Sequence, residues 1–146
     1  MLNNKKDRLN YGNILMPPMG YELNYAVATT YSLDLETLTA TAIALGVSED
    51  TDSIATETPV ALLHSLHKIT DKIVIFCEAG QIKKPKNNSK LLLLLEKNTI
   101  TISLEKQRDT YPSFHPKTWT LEYINSKGEK LYRFIVLSRN LTFDRS

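Results

Sequence analysis

The chain has 146 residues, of which 42% are hydrophobic and 23% charged, and its formal net charge is +2. This composition suits one domain with its own core, and so mild a charge permits a polyanionic partner without requiring one. The single cysteine, Cys77, excludes an intramolecular disulfide framework and a cysteine-rich zinc site, so we expect a reducing, cytoplasmic setting.

The first half of the sequence predicts a strand followed by two helices. Residues 25–34 are rich in β-branched and aromatic residues, which is typical of a strand. The next stretch has helical spacing, with Asp34 as its cap and Gly46 as its stop. A second helix is predicted over TPVALLHSLHKI, with Thr58 as cap and Pro59 in the first turn. The apolar stripe of the first helix consists of Leu35, Leu38, Ala42 and Leu45.

The second half predicts more strands. DKIVIFCEAG is a continuous apolar run, which is typical of a strand buried on both faces of a parallel sheet. A basic loop, QIKKPKNN, and a short helix, NSKLLLLLEKN, come next. TITISLEK alternates as a strand does, and QRDTYPS is a loop. Residues 114–140 are interpreted as two strands joined by a turn at residues 125–128.

This order of elements predicts the fold class. Strands alternate with helices early in the chain and a hairpin closes the series, so we expect an α/β domain with a mixed sheet flanked by helices. The polar start, MLNNKKDRLN, lacks the apolar core of a signal peptide, and KLLLLLEK is too short to span a bilayer. The chain stops directly after a predicted strand and its turn. We therefore expect residues 1–146 to be a single domain from the N-terminal half of a larger protein.

Two pairs of polar residues indicate phosphate chemistry. His115 and Lys117 are two positions apart, so within a strand they would share one face, and Ser138 and Asn140 have the same spacing on the partner strand. Lysine and asparagine bind phosphate oxygens, the first by charge and the second by its amide. A neutral histidine can attack phosphorus and a charged one can donate a proton.

These residues resemble the half-motif of the phospholipase D superfamily, in which His-x-Lys is followed by Asp and then by Gly-Ser-x-Asn. HPK and SRNLT carry the resemblance, and VATTYSLDLETLTA resembles the first strand and helix of bacterial phospholipase D-like nucleases. Glu122 stands where the superfamily usually has Asp, and Leu137 where it usually has Gly. The resemblance implies an α-β-α sandwich.

The resemblance also implies a two-step phosphodiester reaction that needs no metal or cofactor. One histidine attacks phosphorus, and a second, from another motif, protonates the leaving group and then activates water. The expected catalytic residues are His115, Lys117, Asn140, Ser138 and Glu122. Because the chain has one His-x-Lys, either a homodimer or a missing C-terminal lobe would complete the site.

Other roles remain open for several of these residues. Glu122 could instead be a surface charge, Ser138 a small packing residue and Asn140 a turn residue. Trp119 could line the site, beside Lys117, or belong to the core. Three lysines of the basic loop could contact a nucleic-acid backbone or simply be solvated. These lysines are Lys83, Lys84 and Lys86.

The leading hypothesis for function is a metal-independent phosphodiesterase, a nuclease that cleaves DNA through a phosphohistidine. A phospholipase or phosphatidyltransferase of the same superfamily is an alternative, although no stretch resembles a membrane-binding amphipathic helix. A non-catalytic nucleic-acid-binding module is another. His64 and His67 lie three apart on a predicted helix, and without nearby cysteines or an acidic cluster we expect them to flank the core.

Overall fold

The computed structural model describes residues 11–46, 59–83, 95–106 and 108–142. These ranges contain three α-helices, a 3₁₀ turn at Glu96–Asn98 and seven strands. The helices are α1 (Tyr11–Leu15), α2 (Leu35–Gly46) and α3 (Pro59–Thr70). The strands are β1 (Tyr21–Thr30), β2 (Leu33–Asp34), β3 (Ile73–Glu78), β4 (Ile82–Lys83), β5 (Thr99–Ile102), β6 (Thr118–Asn125) and β7 (Lys130–Val136).

Five of these strands form one mixed sheet in the order β5-β3-β1-β6-β7. β1, β3 and β5 are parallel, whereas β6 is antiparallel to both β1 and β7. The two short strands β2 and β4 pair in parallel as a second sheet. The predicted α/β class with a mixed sheet is therefore confirmed.

The first two predicted helices are confirmed, and the first of them has the predicted cap. The backbone N–H of Glu36 donates to Asp34 Oδ1 over 2.9 Å, which satisfies one of the free donors at the start of α2. All four residues of the predicted apolar stripe are buried, each at most 2% exposed. The second helix, α3, begins at Pro59, and its buried residues include Leu66 and Ile69.

Strand boundaries differ from the prediction at several places. β1 ends at Thr30, four residues before the predicted end, because the Thr30 hydroxyl donates to the carbonyl of Ser32 and the chain turns there. The chain then forms β2, which pairs with β4 inside the predicted basic loop. Of the predicted helix NSKLLLLLEKN, the described part is Leu95 and the 3₁₀ turn, and the rest lies outside the described residues.

The core lies on one face of the sheet. Buried residues of α2 and α3 form one cluster with alternate residues of β1, β3 and β6, including Ala28, Ile75 and Leu121. The prediction that β3 is buried on both faces is wrong for the described residues, since Val74 and Phe76 are half-buried while their neighbours are buried. No helix within these ranges is long and apolar enough to cross a membrane.

Candidate active site

The candidate site lies at the edge of the sheet where β1 and β3 end. Thr29 pairs with Thr118, so antiparallel β6 begins beside the carboxyl end of β1. The backbone N–H of Leu137 donates to the carbonyl of Lys117 over 2.8 Å. The segment with His115 and Lys117 therefore lies beside the one that carries Ser138. Ligands of open α/β sheets commonly bind at this carboxyl edge.

His115 and Lys117 contact each other directly. Lys117 Nζ is 2.7 Å from His115 Nδ1 and also donates to the carbonyl of His115 over 3.3 Å. The ring of Tyr31, the first residue after β1, lies against the imidazole, with the ring centroids 4.9 Å apart and the planes tilted by 33°. His115 is exposed and Lys117 is half-buried, so the pair is open to a ligand.

The prediction that His115 and Lys117 lie within a strand is wrong. β6 begins at Thr118, and residues 111–117 form no strand. Pro116 explains why β6 begins only after it, because proline has no N–H to donate to the ladder. Two residues before the proline, the N–H of Phe114 donates to Glu78 Oε2 at the end of β3 over 2.7 Å.

The contact between Lys117 Nζ and His115 Nδ1 bears on which ring nitrogen is available for attack. A charged lysine can only donate a hydrogen bond, so Lys117 can donate to Nδ1 in the tautomer whose ring proton lies on Nε2. In this arrangement the lone pair of Nδ1 becomes available only when Lys117 finds another acceptor.

The segment with Ser138 and Asn140 is held near the carboxyl end of β1 by the backbone of Leu141. The N–H of Leu141 donates to the Thr30 hydroxyl over 3.1 Å, and the carbonyl of Leu141 accepts from the N–H of Asp34 over 2.8 Å. Leu141 is buried, Ser138 is exposed and Asn140 is half-buried. Four predicted residues, two in each segment, are thus carried to one edge of the sheet.

Glu122 lies away from this edge. It is five residues along β6 from Lys117, which corresponds to roughly 17 Å in an extended strand. There the Glu122 carboxylate accepts hydrogen bonds from Tyr132 and Asn24 and lies 3.2 Å from Lys130 Nζ. The hydrogen bond from Tyr132, with those from Asn24 and Lys130, lowers the pKa of Glu122. The structure therefore does not bring Glu122 together with His115.

The predicted substrate-binding residues that the structure describes lie in two different environments. Trp119 is 1% exposed and belongs to the core, so its indole does not line an open site. Lys83 is exposed on β4, whose partner β2 also forms a bridge to Leu141. Lys83 therefore belongs to the small sheet that is bridged to Leu141, next to Asn140. Lys84 and Lys86 lie outside the described residues.

Sequence reasoning missed three residues that hold the site, namely Thr30, Tyr31 and Glu78. All three lie at the carboxyl end of β1 or β3. The signal for Glu78 was its position at the end of a predicted parallel strand. Thr30 and Tyr31 carry no such signal, because the predicted first strand continues to residue 34 and neither residue is at its end.

Cys77 is a structural residue of this edge. Its thiol donates to the carbonyl of Tyr31 over 3.3 Å, and burial, with the Glu78 charge beside it, raises the pKa of Cys77 to about 11. Since the thiolate is the reactive form, Cys77 is not a nucleophile near neutral pH.

Comparisons with protein-family models, curated proteins and solved structures find no significant match for this chain.

Proposed function

We propose that the chain is a phosphodiesterase unit that cleaves DNA without a metal ion, with His115 as the nucleophile. The observation that carries the proposal is the contact between His115 and Lys117 beside the Ser138–Asn140 segment. Lys83, exposed on the neighbouring strand, supplies positive charge for a nucleic-acid backbone. The cytoplasm remains the predicted compartment.

The proposed reaction has two steps. In the first, a nitrogen of His115 attacks phosphorus, so a P–N bond forms while the P–O bond to the leaving oxygen breaks and that oxygen takes a proton from an acid. In the second, water attacks phosphorus, gives its proton to the same group, and the P–N bond breaks. Lys117 and Asn140 stabilise the charge on the non-bridging oxygens.

Lys117 has a second role in this proposal. A bound phosphodiester offers the ammonium a charged acceptor, which forms a stronger hydrogen bond than a neutral imidazole does. Lys117 then moves from Nδ1 to the phosphate. The lone pair of His115 becomes available only when substrate is bound.

The proton for the leaving oxygen comes from a second motif. His67 cannot supply it, because it lies in the last turn of α3, directly before β3 begins, at the opposite edge of the sheet from His115. We propose that a second copy of the chain, or a second lobe of a longer chain, completes the site.

The test is cleavage of labelled single- and double-stranded DNA in excess EDTA. His115→Asn should lose at least about a thousandfold in rate, as removal of a nucleophile does. His64→Asn, a change at an exposed histidine on α3, should cleave as the wild type does. Wild-type turnover that survives in His115→Asn would eliminate His115 as the nucleophile.

The position of Glu122 favours one alternative, a non-catalytic nucleic-acid-binding module. Glu122 occupies the motif position of the superfamily aspartate, yet it is bonded to Tyr132 and Lys130 away from the edge. DNA binding by the wild type without turnover, unchanged in His115→Asn, would support this alternative.

A further inference from the structure

The face of the five-stranded sheet that turns away from the helices, here called the open face, has no covering layer among the described residues. Paired residues of neighbouring strands point to the same side, so the register assigns side chains of all five strands to this face. No described side chain on it is fully buried. Its apolar members include Tyr25, Phe76, Ile100, Tyr132, Phe134 and Val136.

Such exposure is unusual for this kind of sheet. Parallel strands such as β1, β3 and β5 normally have both faces covered. On the outermost strand, β7, Tyr132 is 67% exposed, Phe134 66% and Val136 71%. These alternate residues form an apolar row along an edge strand, the kind of surface that proteins usually protect.

The exposed rings supply a substantial part of the area that a protein interface needs. An aromatic side chain can bury about 150–250 Å², so the exposed parts of Tyr25, Tyr132 and Phe134 together present roughly 250–450 Å². A stable interface buries about 800 Å² on each partner. Three rings therefore supply about a third to a half of that area, and aliphatic residues of β1, β3 and β5 add to it.

The charge at the centre of the face favours an apolar partner over a nucleic acid. Glu122 and Lys130 neutralise each other over 3.2 Å. Four residues along β6 from Glu122, on the same face, the hydroxyls of Thr29 and Thr118 are hydrogen-bonded to each other over 2.8 Å. Neither pair leaves an unmatched charge when water is removed, so the attraction between Glu122 and Lys130 offsets part of the cost of covering them.

We propose that the open face docks a second copy of this chain, sheet against sheet about a two-fold axis. A face that is apolar and neutral at its centre is complementary to itself, as an isologous dimer requires. Stacked sheets pack about 10 Å apart with interdigitated side chains, which would bury the rings of β7. This inference does not rest on the proposed function, because the face uses neither His115 nor Lys117.

The test measures the mass of the chain in solution by analytical ultracentrifugation across a dilution series. We expect a dimer that dissociates at roughly micromolar concentration, within the range of interfaces of this size. Phe134→Lys and Thr120→Arg should each raise the dissociation constant at least a hundredfold, since each places a charge on the open face. Both sites are exposed, so folding, checked by circular dichroism, should be unchanged.

Two controls make the result specific. Tyr111→Lys and Val60→Lys change side chains that are 82% and 77% exposed and lie outside the sheet, and they should leave the dimer intact. Thr120 is on β6, away from the outer edge of β7, so a dimer formed by pairing of that edge would survive Thr120→Arg. Such a surviving dimer would overturn the proposal, and so would a wild type that stays monomeric throughout.

Discussion

The two ends of the β6–β7 hairpin are held in different ways. At the turn end, Asn125 Oδ1 accepts the N–H groups of Lys127 and Glu129 over 3.0 and 2.8 Å. The N–H of Gly128, whose φ is 80°, donates to the carbonyl of Asn125. All these contacts lie within five residues, so the turn closes by itself.

At the other end, the chain is held by distant residues. Phe114 donates to Glu78, 36 positions away, and Leu141 donates to Thr30, 111 positions away. Tyr31 lies against His115. The candidate site therefore exists only once β1, β3 and the hairpin have assembled, and its geometry can be changed from residues that touch no substrate.

Among the variants that compare the two ends of the hairpin, the largest effect is expected from Lys117→Met. The change removes the ammonium that contacts His115 and, in the proposed reaction, stabilises the phosphoryl oxygens, so the cleavage rate should fall about 10²- to 10³-fold. Lys127→Met, at the turn end, is the matched control and should cleave normally. Equal cleavage rates for the two variants would mean that the two ends of the hairpin do not differ in function.

A smaller effect on rate is expected from Glu78→Ala. Loss of the acceptor for the Phe114 N–H should cost about 1–3 kcal/mol of stability and loosen the His115 segment. Glu78→Gln keeps an acceptor oxygen and should recover most of the cleavage rate. Urea unfolding and rate measurements on both variants check this, and an Ala variant as fast as the Gln variant would show that the anchor does not position His115.

Asn125→Ala should affect stability without affecting activity. The variant loses the acceptor of two N–H groups in the turn, which should cost about 1 kcal/mol, measured by urea unfolding. The cleavage rate at saturating DNA should stay unchanged, because the turn lies at the far end of the hairpin. A fall in that rate would mean that the two ends are coupled.

The smallest effect is a pH dependence on the open face. Since the pKa of Glu122 is lowered in the folded state, its ionised form stabilises the fold above the usual value of 4.5, and this contribution is lost as the pH falls through the lowered pKa. The urea midpoint of the wild type should therefore fall more than that of Glu122→Gln on acidification below about pH 4.5. Parallel curves for the two proteins would contradict it.

Local signals predicted the parts of the fold that local contacts hold. The cap at Asp34, the stripe through Leu38 and the turn from Asn125 to Gly128 each follow from residues a few positions apart. His115 and Lys117 also contact each other, although the strand to which the spacing argument assigned them begins only at Thr118.

Other features could not be predicted because they depend on distant partners. The end of β1 depends on Thr30, whose hydroxyl accepts from Leu141, and the start of β6 depends on where Pro116 falls in the ladder. The separation of Glu122 from His115 follows from the length of β6. A sequence motif identifies candidate site residues, whereas the topology of the sheet determines which of them lie close together.

The most direct test of the central claim is to trap the protein–DNA intermediate. The chain is incubated with phosphorus-labelled DNA in excess EDTA, quenched with alkali and examined for protein-bound label that is stable in base and released by acid. The account predicts such label on the wild type and on His64→Asn and none on His115→Asn. Label that persists in His115→Asn, or a wild type that never acquires label, would contradict His115 as the nucleophile.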